Sequence, residues 1–408
     1  MRLLFIDRYF YPDLQATSCL LTDICIYLTQ EHEVTVVCGK PSGFSAYCQN
    51  YRSFVSREVY QRVNVLRVRS SDFAKENLLM RFLNFITFYF TSFWQAANLG
   101  KQDLSVVMTS PPLIGMVAYF LKLFRGTPYL CICQDIFPDS VSIPGRLKNK
   151  FLIAVFDWCN RLILKNALKV VALSDLMMKR LTDKGLDQEK IRVIPNWTDS
   201  GIVKPMPKDN AFSREHGINN KFAVIYAGNV GFSHYLEDLV YVAKELAEFE
   251  DIVFVIIGDG ARKKAIISLV GELGLKNVIF LPYQNKEVIS SALASGDILV
   301  VTLSKGLGGY VVPSRIYGFL SSGRAIICVM DENSEAGEMV KEADCGDVVS
   351  PGQPSSLAKS IKSLYQDKQR LAGYAANAAK YAEQKNFKQS SLEKYRVLIN
   401  SIFQEQNV

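Results

Sequence analysis

Short runs of consecutive apolar residues alternate along this chain with longer segments in which apolar residues recur at helical spacing. The runs at 3–6, 34–38 and 104–109 are typical of strands that are buried on both faces, and the segments between such runs predict helices. After a polar, proline-containing stretch at 198–220, the same alternation restarts with the run at 222–227. Repeated alternation of this kind predicts parallel sheets with helices on both faces. We therefore predict an α/β protein of two doubly wound, Rossmann-like domains.

The chain has 408 residues, which favours two domains because single hydrophobic cores seldom grow beyond about 300 residues. We predict an N-terminal domain over 1–197 and a C-terminal domain over 198–385, with the helical segment at about 386–408 packing back on the first domain. Doubly wound sheets bind ligands beyond the carboxyl ends of their strands. We therefore expect the two domains to face each other across a cleft, with one substrate on each wall.

Hydrophobic residues make up 49% of the chain and charged residues 21%, as in ordinary folded proteins, and the net charge is +7. The Lys and Arg residues are scattered and no nucleic-acid-binding motif accompanies them, so we expect no nucleic-acid partner. Either a nucleotide phosphate or an anionic lipid would account for the excess positive charge. The nine cysteines lie mostly within apolar segments, as the reduced cysteines of cytoplasmic proteins do. An acidic residue as early as Asp7 argues against a secretory signal at the N-terminus.

The stretch 304–330 combines glycines, a capping residue and a cation between two predicted strands. Gly308 and Gly309 belong to a loop, and Ser314 occupies the N-cap position of a short predicted helix. Arg315 follows in the first helical turn, where a cation opposes the helix dipole unless an anion lies between them. Glycine also allows backbone amides to approach a phosphate closely. A structural loop with a surface arginine is the alternative, but the combination predicts a diphosphate-binding site.

Two further glycine turns follow strands of the predicted second domain. The turn residues, with the basic residues after the second turn, are Gly228, Asn229, Gly258, Asp259, Gly260, Arg262 and Lys263. Because the carboxyl ends of parallel strands meet at one edge of a sheet, we expect both turns to face the same crevice as 304–330. Ordinary tight turns and a solvated helix face are the alternatives. Neither predicted domain carries Gly-x-Gly-x-x-Gly or a P-loop, which argues against a dehydrogenase or a nucleotide hydrolase.

The predicted first domain offers two carboxylates, Asp135 and Asp139, after the run at 129–133. A carboxylate at this edge can act as a general base, orient an acceptor hydroxyl or stabilise positive charge at an anomeric carbon. Capping of the turn is the alternative for Asp139. The chain has three histidines and no Asp-x-Asp pair, so we expect neither a histidine-based triad nor a metal held by paired aspartates. His234 follows the first glycine turn closely enough to touch a ligand.

The segment 78–99 is rich in aromatic residues and carries only a narrow polar stripe. Such a helix is either buried or dips into a membrane surface. The basic residues Arg146, Lys148 and Lys150 precede a second apolar run at 151–156. Burial in the core and peripheral docking on the cytoplasmic face of a membrane both remain open, and in either case we expect a cytoplasmic protein.

Several motifs, in this order, resemble those of a known family. They are Tyr9-Phe-Tyr-Pro-Asp-Leu-Gln-Ala-Thr17, Gln134-Asp-Ile-Phe-Pro-Asp-Ser140, Ile194-Pro-Asn-Trp197, Tyr226-Ala-Gly-Asn-Val-Gly231, Ile257-Gly-Asp-Gly260 and Val312-Pro-Ser-Arg-Ile-Tyr-Gly318. Over nearly its whole length the chain resembles the retaining family-four glycosyltransferases of the GT-B fold. Within that family it is most similar to bacterial enzymes of O-antigen, capsule and exopolysaccharide synthesis, among them the N-acetyl-fucosamine-transferase-like branch.

The resemblance implies transfer of a hexosyl or N-acetylhexosaminyl group from a nucleotide-diphosphate sugar, expected to be a UDP-sugar, without a metal or other cofactor. The acceptor would be a saccharide or a polyprenyl-diphosphate-linked sugar, bound by the first domain near a membrane surface. The implied donor contacts lie in the second domain at Gly228, Asn229, Gly258, Asp259, Gly260, Arg262, Lys263, Tyr283, Gly308, Gly309, Val312, Pro313, Ser314, Arg315, Tyr317 and Gly318. The implied acceptor contacts are Tyr11, Pro12, Ala16 and Thr17, and the implied functional acid is Asp135 or Asp139.

The chain departs from the family at two glutamates that usually flank the central loop, whose positions fall near Tyr310 and at Gly318. The basic residue that often follows the first glycine turn is also absent, and Arg315 is expected to supply its charge. Three hypotheses therefore remain: a glycosyltransferase, a non-catalytic subunit that binds nucleotide sugars or polysaccharide, and a nucleotide-sugar epimerase on the same fold.

Overall fold

The computed structural model describes residues 1–13, 15–41, 53–71, 73, 78–199 and 201–406, without the side chains of residues 78, 79, 81, 82 and 406. The described residues form two compact units. Unit 1 contains the N-terminal part of the chain up to Asp139, then Leu147–Pro195 and the residues from Ser391 onward. Unit 2 contains Ser140–Arg146 and Asn196–Ser390.

Within the described residues, the strands of unit 1 form one eight-stranded sheet. In chain order they are β1 (Arg2–Ile6), β2 (Glu33–Gly39), β3 (Val55–Tyr60), β4 (Val63–Val68), β5 (Leu104–Met108), β6 (Tyr129–Ile132), β7 (Lys169–Ala172) and β8 (Ile191–Val193). Their order across the sheet is β3-β4-β2-β1-β5-β6-β7-β8, and the pairs are parallel except β3 with β4. Central strands such as β5 are buried along their whole length, which explains why continuous apolar runs predict them.

The sequence pattern does not predict strand β3. It runs antiparallel to β4 at the edge of the sheet, and its residues alternate between half-buried and exposed. Because one face of β3 is solvated and the strand contains Arg57 and Glu58, no continuous apolar run marks it. Glu58 nevertheless binds the buried Arg67 of β4, with 2.7 Å between Oε1 and Nε.

Six helices precede Asn196 in the described part of the chain. They are α1 (Ala16–Leu28), α2 (Leu78–Ala97), α3 (Gly115–Arg125), α4 (Asp139–Ser142), α5 (Lys150–Asn166) and α6 (Asp175–Asp183), with a 3₁₀ turn at Gln188–Lys190. Side-chain caps fix two helix starts, because Asn149 accepts a hydrogen bond from the Leu152 amide and Ser174 accepts one from the Met177 amide. In the part of the chain that the structure describes, none of the helices combines the length and hydropathy needed to cross a bilayer.

Unit 2 contains a second sheet, whose six described strands are all parallel. They are β9 (Phe222–Ala227), β10 (Ile252–Ile257), β11 (Val278–Leu281), β12 (Ile298–Thr302), β13 (Ala325–Val329) and β14 (Gly346–Val349). Alternate residues of β9 enter different cores: Val224 and Tyr226 join one hydrophobic cluster, and Ile225 and Ala227 join the other. A sheet with a core on each face is doubly wound, so the predicted fold class of two Rossmann-like α/β domains is confirmed.

The helices of unit 2 cover both faces of this sheet. They are α7 (Ala211–Glu215), α8 (Glu237–Glu245), α9 (Lys263–Glu272), α10 (Ile289–Ala294), α11 (Arg315–Ser321), α12 (Glu335–Glu342), α13 (Pro354–Gln366) and α14 (Lys368–Lys385). The helical segment expected at about 386–408 is observed. Asn386 adopts a left-handed backbone, with φ of 40°, which ends α14 before α15 (Phe387–Gln406) begins.

Helix α15 carries the chain back to unit 1. Tyr395 is buried, and Arg396 pairs with Glu31 at 2.7 Å. The Tyr27 hydroxyl donates to Glu393 at 3.0 Å. These contacts fix the C-terminal helix on the same unit as β1 and α1.

The strand order of unit 2, β11-β10-β9-β12-β13-β14, changes direction between β9 and β12. Strands β10 and β11 lie on one side of β9, and β12 to β14 lie on the other. A crevice opens beyond the carboxyl ends of strands at such a point, because their following segments depart to opposite faces. The turns after β9 and β12 therefore define where a ligand of this unit is expected.

Candidate functional site

The two glycine turns after β9 and β10 lie directly against each other. The Gly228 amide donates to the Ile257 carbonyl at 2.9 Å, and the Val230 amide donates to the Asp259 carbonyl at 2.8 Å. A Cβ placed on Gly258 would lie 2.0 Å from the Gly228 oxygen, and both glycines have φ of 139°. Glycine is therefore required at these positions by close backbone approach and by backbone conformation. The turns that contain Gly228, Asn229, Gly258, Asp259 and Gly260 form one continuous surface.

The guanidinium of Arg315 lies on this surface. Its Cζ atom is 4.5 Å from the centroid of the Tyr226 ring, a cation–π distance, and a Cβ placed on Gly228 would lie 2.8 Å from the same atom. The Nη1 atom of Arg315 is buried and has no hydrogen-bond partner among the described residues. The cation that follows β12 thus covers the glycine turn that follows β9, and it retains donor capacity for an anion.

His234 holds Arg315 from the side. The Nδ1 atom of His234 lies 2.8 Å from the Thr302 carbonyl oxygen, and its Nε2 atom lies 3.1 Å from Nη2 of Arg315. A carbonyl oxygen only accepts, so Nδ1 carries the proton and Nε2 accepts from the guanidinium. Burial and the neighbouring charge of Arg315 lower the pKa of His234 to about 3, so the ring is neutral at physiological pH.

The loop between β12 and α11 is fixed by several backbone contacts. The Ser304 amide donates to the Ser233 carbonyl at 2.9 Å, and the Gly306 amide donates to Oδ2 of Asp331 at 2.8 Å. Leu307 is fully buried beneath the loop. The predicted donor-binding residues Gly308, Gly309, Val312 and Pro313 are also buried. This loop has a defined shape that brings Arg315 to the site.

Two details of the predicted central motif differ in the structure. Ser314 stands at the N-cap position of α11, but it has a helical backbone and its side chain makes no capping hydrogen bond, so the predicted capping role is wrong. Tyr317 is fully buried; its hydroxyl lies 3.1 Å from Oε1 of Glu335, and its ring packs against Phe387. Its contacts are those of a core residue. A Cβ on Gly318 would meet only Thr198 within 4 Å, at an ordinary distance of 3.7 Å.

The side chains of the other predicted donor residues lie around the two glycine turns and contact neighbouring residues of unit 2. Arg262 forms an ion pair with Glu237, and its guanidinium lies 5.7 Å from the Phe232 ring centroid. The Lys263 ammonium donates to the Gly258 carbonyl at 2.7 Å, and the Tyr283 hydroxyl donates to the Asp259 carbonyl at 3.1 Å. The side chains of Arg262, Lys263 and Tyr283 therefore brace the second glycine turn.

The two candidate acids of unit 1 have different surroundings. Oδ1 of Asp135 accepts a hydrogen bond from the Thr109 hydroxyl at 2.9 Å, which places Asp135 at the carboxyl ends of β5 and β6. Asp139 begins α4, and its carboxylate lies 2.7 Å from the ammonium of Lys184. Lys184 also binds Asp157 at 2.6 Å. Asp139 thus belongs to a charged cluster that ties α4, α5 and the end of α6 together.

The predicted acceptor residues lie at the loop after β1 and the start of α1. The buried Arg67 donates to the Tyr11 carbonyl oxygen at 2.5 Å, and the Tyr11 ring stacks on Tyr60 with centroids 3.9 Å apart. Pro12 is buried, whereas Ala16 is exposed and Thr17 is half-buried at the beginning of α1. Arg67 is not predicted from the sequence, because a lone arginine within a strand carries no recognisable motif.

The contacts of Tyr226 and His234 with Arg315 are not predicted from the sequence either. Tyr226 lies within a recognised motif, but its role as a platform for Arg315 requires β9 and β12 to be neighbours. The position of His234 just after the first glycine turn indicates a residue near the ligand, but not its contact with Arg315. Among the described residues, no group of three or more His, Cys, Asp and Glu side chains is close enough to hold a metal ion.

Two family models match successive parts of the chain. Residues 26–197 match the glycosyl transferase 4-like domain, and residues 208–385 match the glycosyl transferases group 1. Together the matches cover most of the chain.

Two curated proteins extend this similarity. The probable glycosyltransferase WbjE of Pseudomonas aeruginosa is 26% identical over 321 residues, which span 76% of this chain and 77% of that protein. The putative colanic acid biosynthesis glycosyl transferase WcaI of Escherichia coli K12 is 24% identical over 355 residues, which span 83% of this chain and 86% of WcaI.

One solved structure is similar over nearly the whole chain. The crystal structure of HepE from Anabaena in complex with UDP and glucose has a TM-score of 0.75 to this chain at 18% sequence identity. The match covers 98% of this chain and 100% of the HepE chain. At this level of identity the likeness establishes the fold, which is of the GT-B class.

Proposed function

The chain belongs to the glycosyltransferases, and from that premise we propose that it moves a sugar from a nucleotide-diphosphate sugar to a lipid-linked or growing saccharide acceptor. The transfer serves the synthesis of a cell-surface polysaccharide and retains the anomeric configuration of the sugar. The name of WcaI, which refers to colanic acid biosynthesis, supports this class of product. The described cysteines are free thiols, which fits a reaction in the reducing cytoplasm.

The observation that carries the proposal is the position of Arg315. Its guanidinium is held between the Tyr226 ring and the Gly228 turn, at the carboxyl ends of neighbouring strands, with Nη1 unpartnered. A diphosphate bound there would receive charge-assisted hydrogen bonds from a cation whose direction is already fixed. The complex of HepE with UDP supports a uridine nucleotide as the donor's leaving group.

The proposed reaction breaks the bond between the anomeric carbon and the β-phosphate oxygen. It forms a bond between that carbon and the acceptor hydroxyl oxygen, and the hydroxyl proton passes to a carboxylate or to the departing diphosphate. Negative charge grows on the diphosphate as it leaves, so a preorganised guanidinium stabilises the transition state more than the ground state. Asp135 is the proposed acid of unit 1, because Lys184 already neutralises Asp139.

Binding of UDP tests the site without an acceptor. Arg315→Ala should weaken UDP binding by about tenfold to a hundredfold, measured by isothermal titration calorimetry, because it removes a charged hydrogen-bond donor. Arg214→Ala is the matched control, since Arg214 is an exposed arginine of unit 2 that pairs with Asp209. Equal UDP affinities of the wild type and Arg315→Ala would remove the central assignment.

Donor turnover separates the three hypotheses. UDP release from a UDP-sugar that requires an acceptor and continues in EDTA supports metal-independent transfer. Binding without release would favour a non-catalytic subunit, a hypothesis motivated by the missing glutamates near Tyr310 and at Gly318. A rearranged nucleotide sugar in the product mixture would favour an epimerase. Nuclear magnetic resonance of the product reports the anomeric configuration and tests retention.

A further inference from the structure

Three helices of unit 1, α2, α3 and α5, expose large apolar side chains to solvent. We call the aromatic face the set formed by Phe90, Trp94, Leu123, Phe124, Phe151 and Trp158, which are between 58% and 75% exposed. Large apolar side chains of a folded protein are seldom this exposed in a group, and such a group marks a surface that binds something. Trp and Phe dominate the set, and these rings combine large apolar area with few rotatable bonds.

The three helices that carry the aromatic face pack in succession, α2 against α3 and α3 against α5. Phe93 of α2 packs edge-to-face against Phe120 and Phe124 of α3, with centroids 6.3 and 6.1 Å apart. The Lys122 ammonium of α3 donates to the Asn166 carbonyl at the end of α5 at 2.8 Å. The aromatic face is therefore carried by one packed group of helices.

Helix α2 buries polar as well as apolar residues on its inner side and exposes large apolar residues on its outer side. Its polar residue Asn84 is buried, accepts a hydrogen bond from the Phe73 amide and donates one to the Phe73 carbonyl, both at 3.0 Å. Phe90 and Trp94, four residues apart, point outward. A helix at a water interface normally buries its apolar stripe and exposes its polar one. Solvent is therefore not the environment that matches this face.

The charge of the three helices identifies the partner. Their described side chains include five Lys and Arg residues but only one acid, Asp157. Its carboxylate is already bound by Arg161 and by Lys184, at 2.6 Å each. A second copy of this chain, packed symmetrically through the same face, would place one cationic surface against another. An anionic lipid surface instead attracts the Lys and Arg residues and accepts the aromatic rings.

We propose that the aromatic face docks unit 1 onto an anionic lipid bilayer, with its rings at the level of the headgroups and its lysines and arginines among the lipid phosphates. The helices lie along the surface and do not span it. This inference goes beyond the proposed transfer reaction and does not depend on it, because a chain without transferase activity would bind the same bilayer. For an acceptor linked to a lipid, such docking would hold unit 1 where that acceptor is found.

Vesicle sedimentation tests the proposal. The full chain should sediment with phosphatidylcholine vesicles that contain about 30% phosphatidylglycerol but not with pure phosphatidylcholine vesicles, and about 0.5 M salt should weaken the binding. The double variant Trp94→Glu, Phe124→Glu should lower the vesicle partition coefficient at least about tenfold. The control Val59→Glu, Val397→Glu makes the same change in charge at exposed positions of β3 and α15 in unit 1, and should bind like the wild type.

Thermal unfolding of each variant, with unchanged midpoints, verifies that the folds are intact. Failure of the wild type to sediment with the anionic vesicles would overturn the proposal, and so would equal binding by the two double variants. A wild-type dimer that the Trp94, Phe124 variant dissociates would assign the aromatic face to a second copy of the chain, again against the proposal. UDP binding by the same preparations is unaffected in every case, so this test is independent of the proposed function.

Discussion

The imidazole of His234 accepts a hydrogen bond from the guanidinium of Arg315, with 3.1 Å between Nε2 and Nη2, while its own Nδ1 proton faces the Thr302 carbonyl. An uncharged ring therefore joins the main chain at the end of β12 to the cation that follows the next loop. In the family that the chain resembles, a basic residue is expected after the first glycine turn, near the position of His234. Here the histidine supplies no charge of its own, but it fixes the direction of the arginine that does.

Substitution of His234 should change donor affinity through Arg315. His234→Ala removes the acceptor for Nη2, so we expect UDP affinity to fall about threefold to tenfold, as for the loss of one net hydrogen bond. His234→Gln should retain most of the affinity, because an amide can donate to Thr302 and accept from Arg315. Isothermal titration calorimetry measures both variants. In the Arg315→Ala background, His234→Ala should have no further effect, and a full additive loss would show that the histidine acts independently of the arginine.

The depressed pKa of His234 should make folding stability depend on pH in acid. Because the folded-state pKa of about 3 lies below the unfolded value near 6.5, the unfolded chain binds a proton that the folded chain does not over that window. Stability should therefore fall as the pH drops through about 6.5 toward about 3, and His234 should add no pH dependence above this window. Between about pH 7 and about pH 5 the loss due to this group is at most about 2 kcal/mol.

Comparison with His234→Gln isolates this contribution, since carboxylates that titrate in the same range are common to both proteins. Denaturant unfolding at the two pH values should show a smaller loss for the variant. Equal losses would mean that His234 takes up its proton in the folded protein as readily as in the unfolded chain.

The two candidate acids should separate into a functional and a structural residue. Asp135→Asn should lower kcat about a hundredfold or more if its carboxylate acts on the acceptor hydroxyl or on the anomeric charge. Asp139→Asn should leave kcat within about threefold and cost about 1 kcal/mol of stability, because it weakens the half-buried pair with Lys184. Steady-state kinetics of both variants measures kcat, and denaturant unfolding measures their stability. The reverse pattern, with kcat lost only in Asp139→Asn, would exchange the two assignments.

The interlocked glycine turns should tolerate no side chain. Gly258→Ala would place a Cβ 2.0 Å from the Gly228 carbonyl oxygen, at a φ of 139° that alanine rarely adopts, so we expect a loss of about 3 kcal/mol or more. Gly271→Ala is the control within α9, where an added Cβ meets nothing within 4 Å, and it should stabilise by about 0.5 to 1 kcal/mol. Thermal unfolding compares them. Wild-type stability of Gly258→Ala would mean that the two turns can separate freely.

Much of the architecture follows from local patterns of sequence. Strands buried on both faces, such as β9, appear as uninterrupted apolar runs, and the predicted run at 222–227 coincides with the observed strand. Strand β3 is not predicted, because it is an edge strand with one solvated face and contains charged residues. The division of the C-terminal segment into α14 and α15 is not predicted. Asn386 ends α14 by adopting a left-handed backbone, which asparagine permits but does not require.

The sequence by itself determined that this is an α/β protein with two doubly wound sheets, and that glycine turns and Arg315 follow strands of the second. These properties depend on residues close together in the chain. Only the tertiary structure decided that β9 lies beside β12, so that Tyr226, Gly228 and His234 surround one guanidinium, and that Phe90 and Trp94 of α2 face outward. Strand order and helix orientation depend on long-range packing, which no local pattern encodes. This packing brings the separate motifs together in one site and exposes the aromatic residues of α2 on the surface.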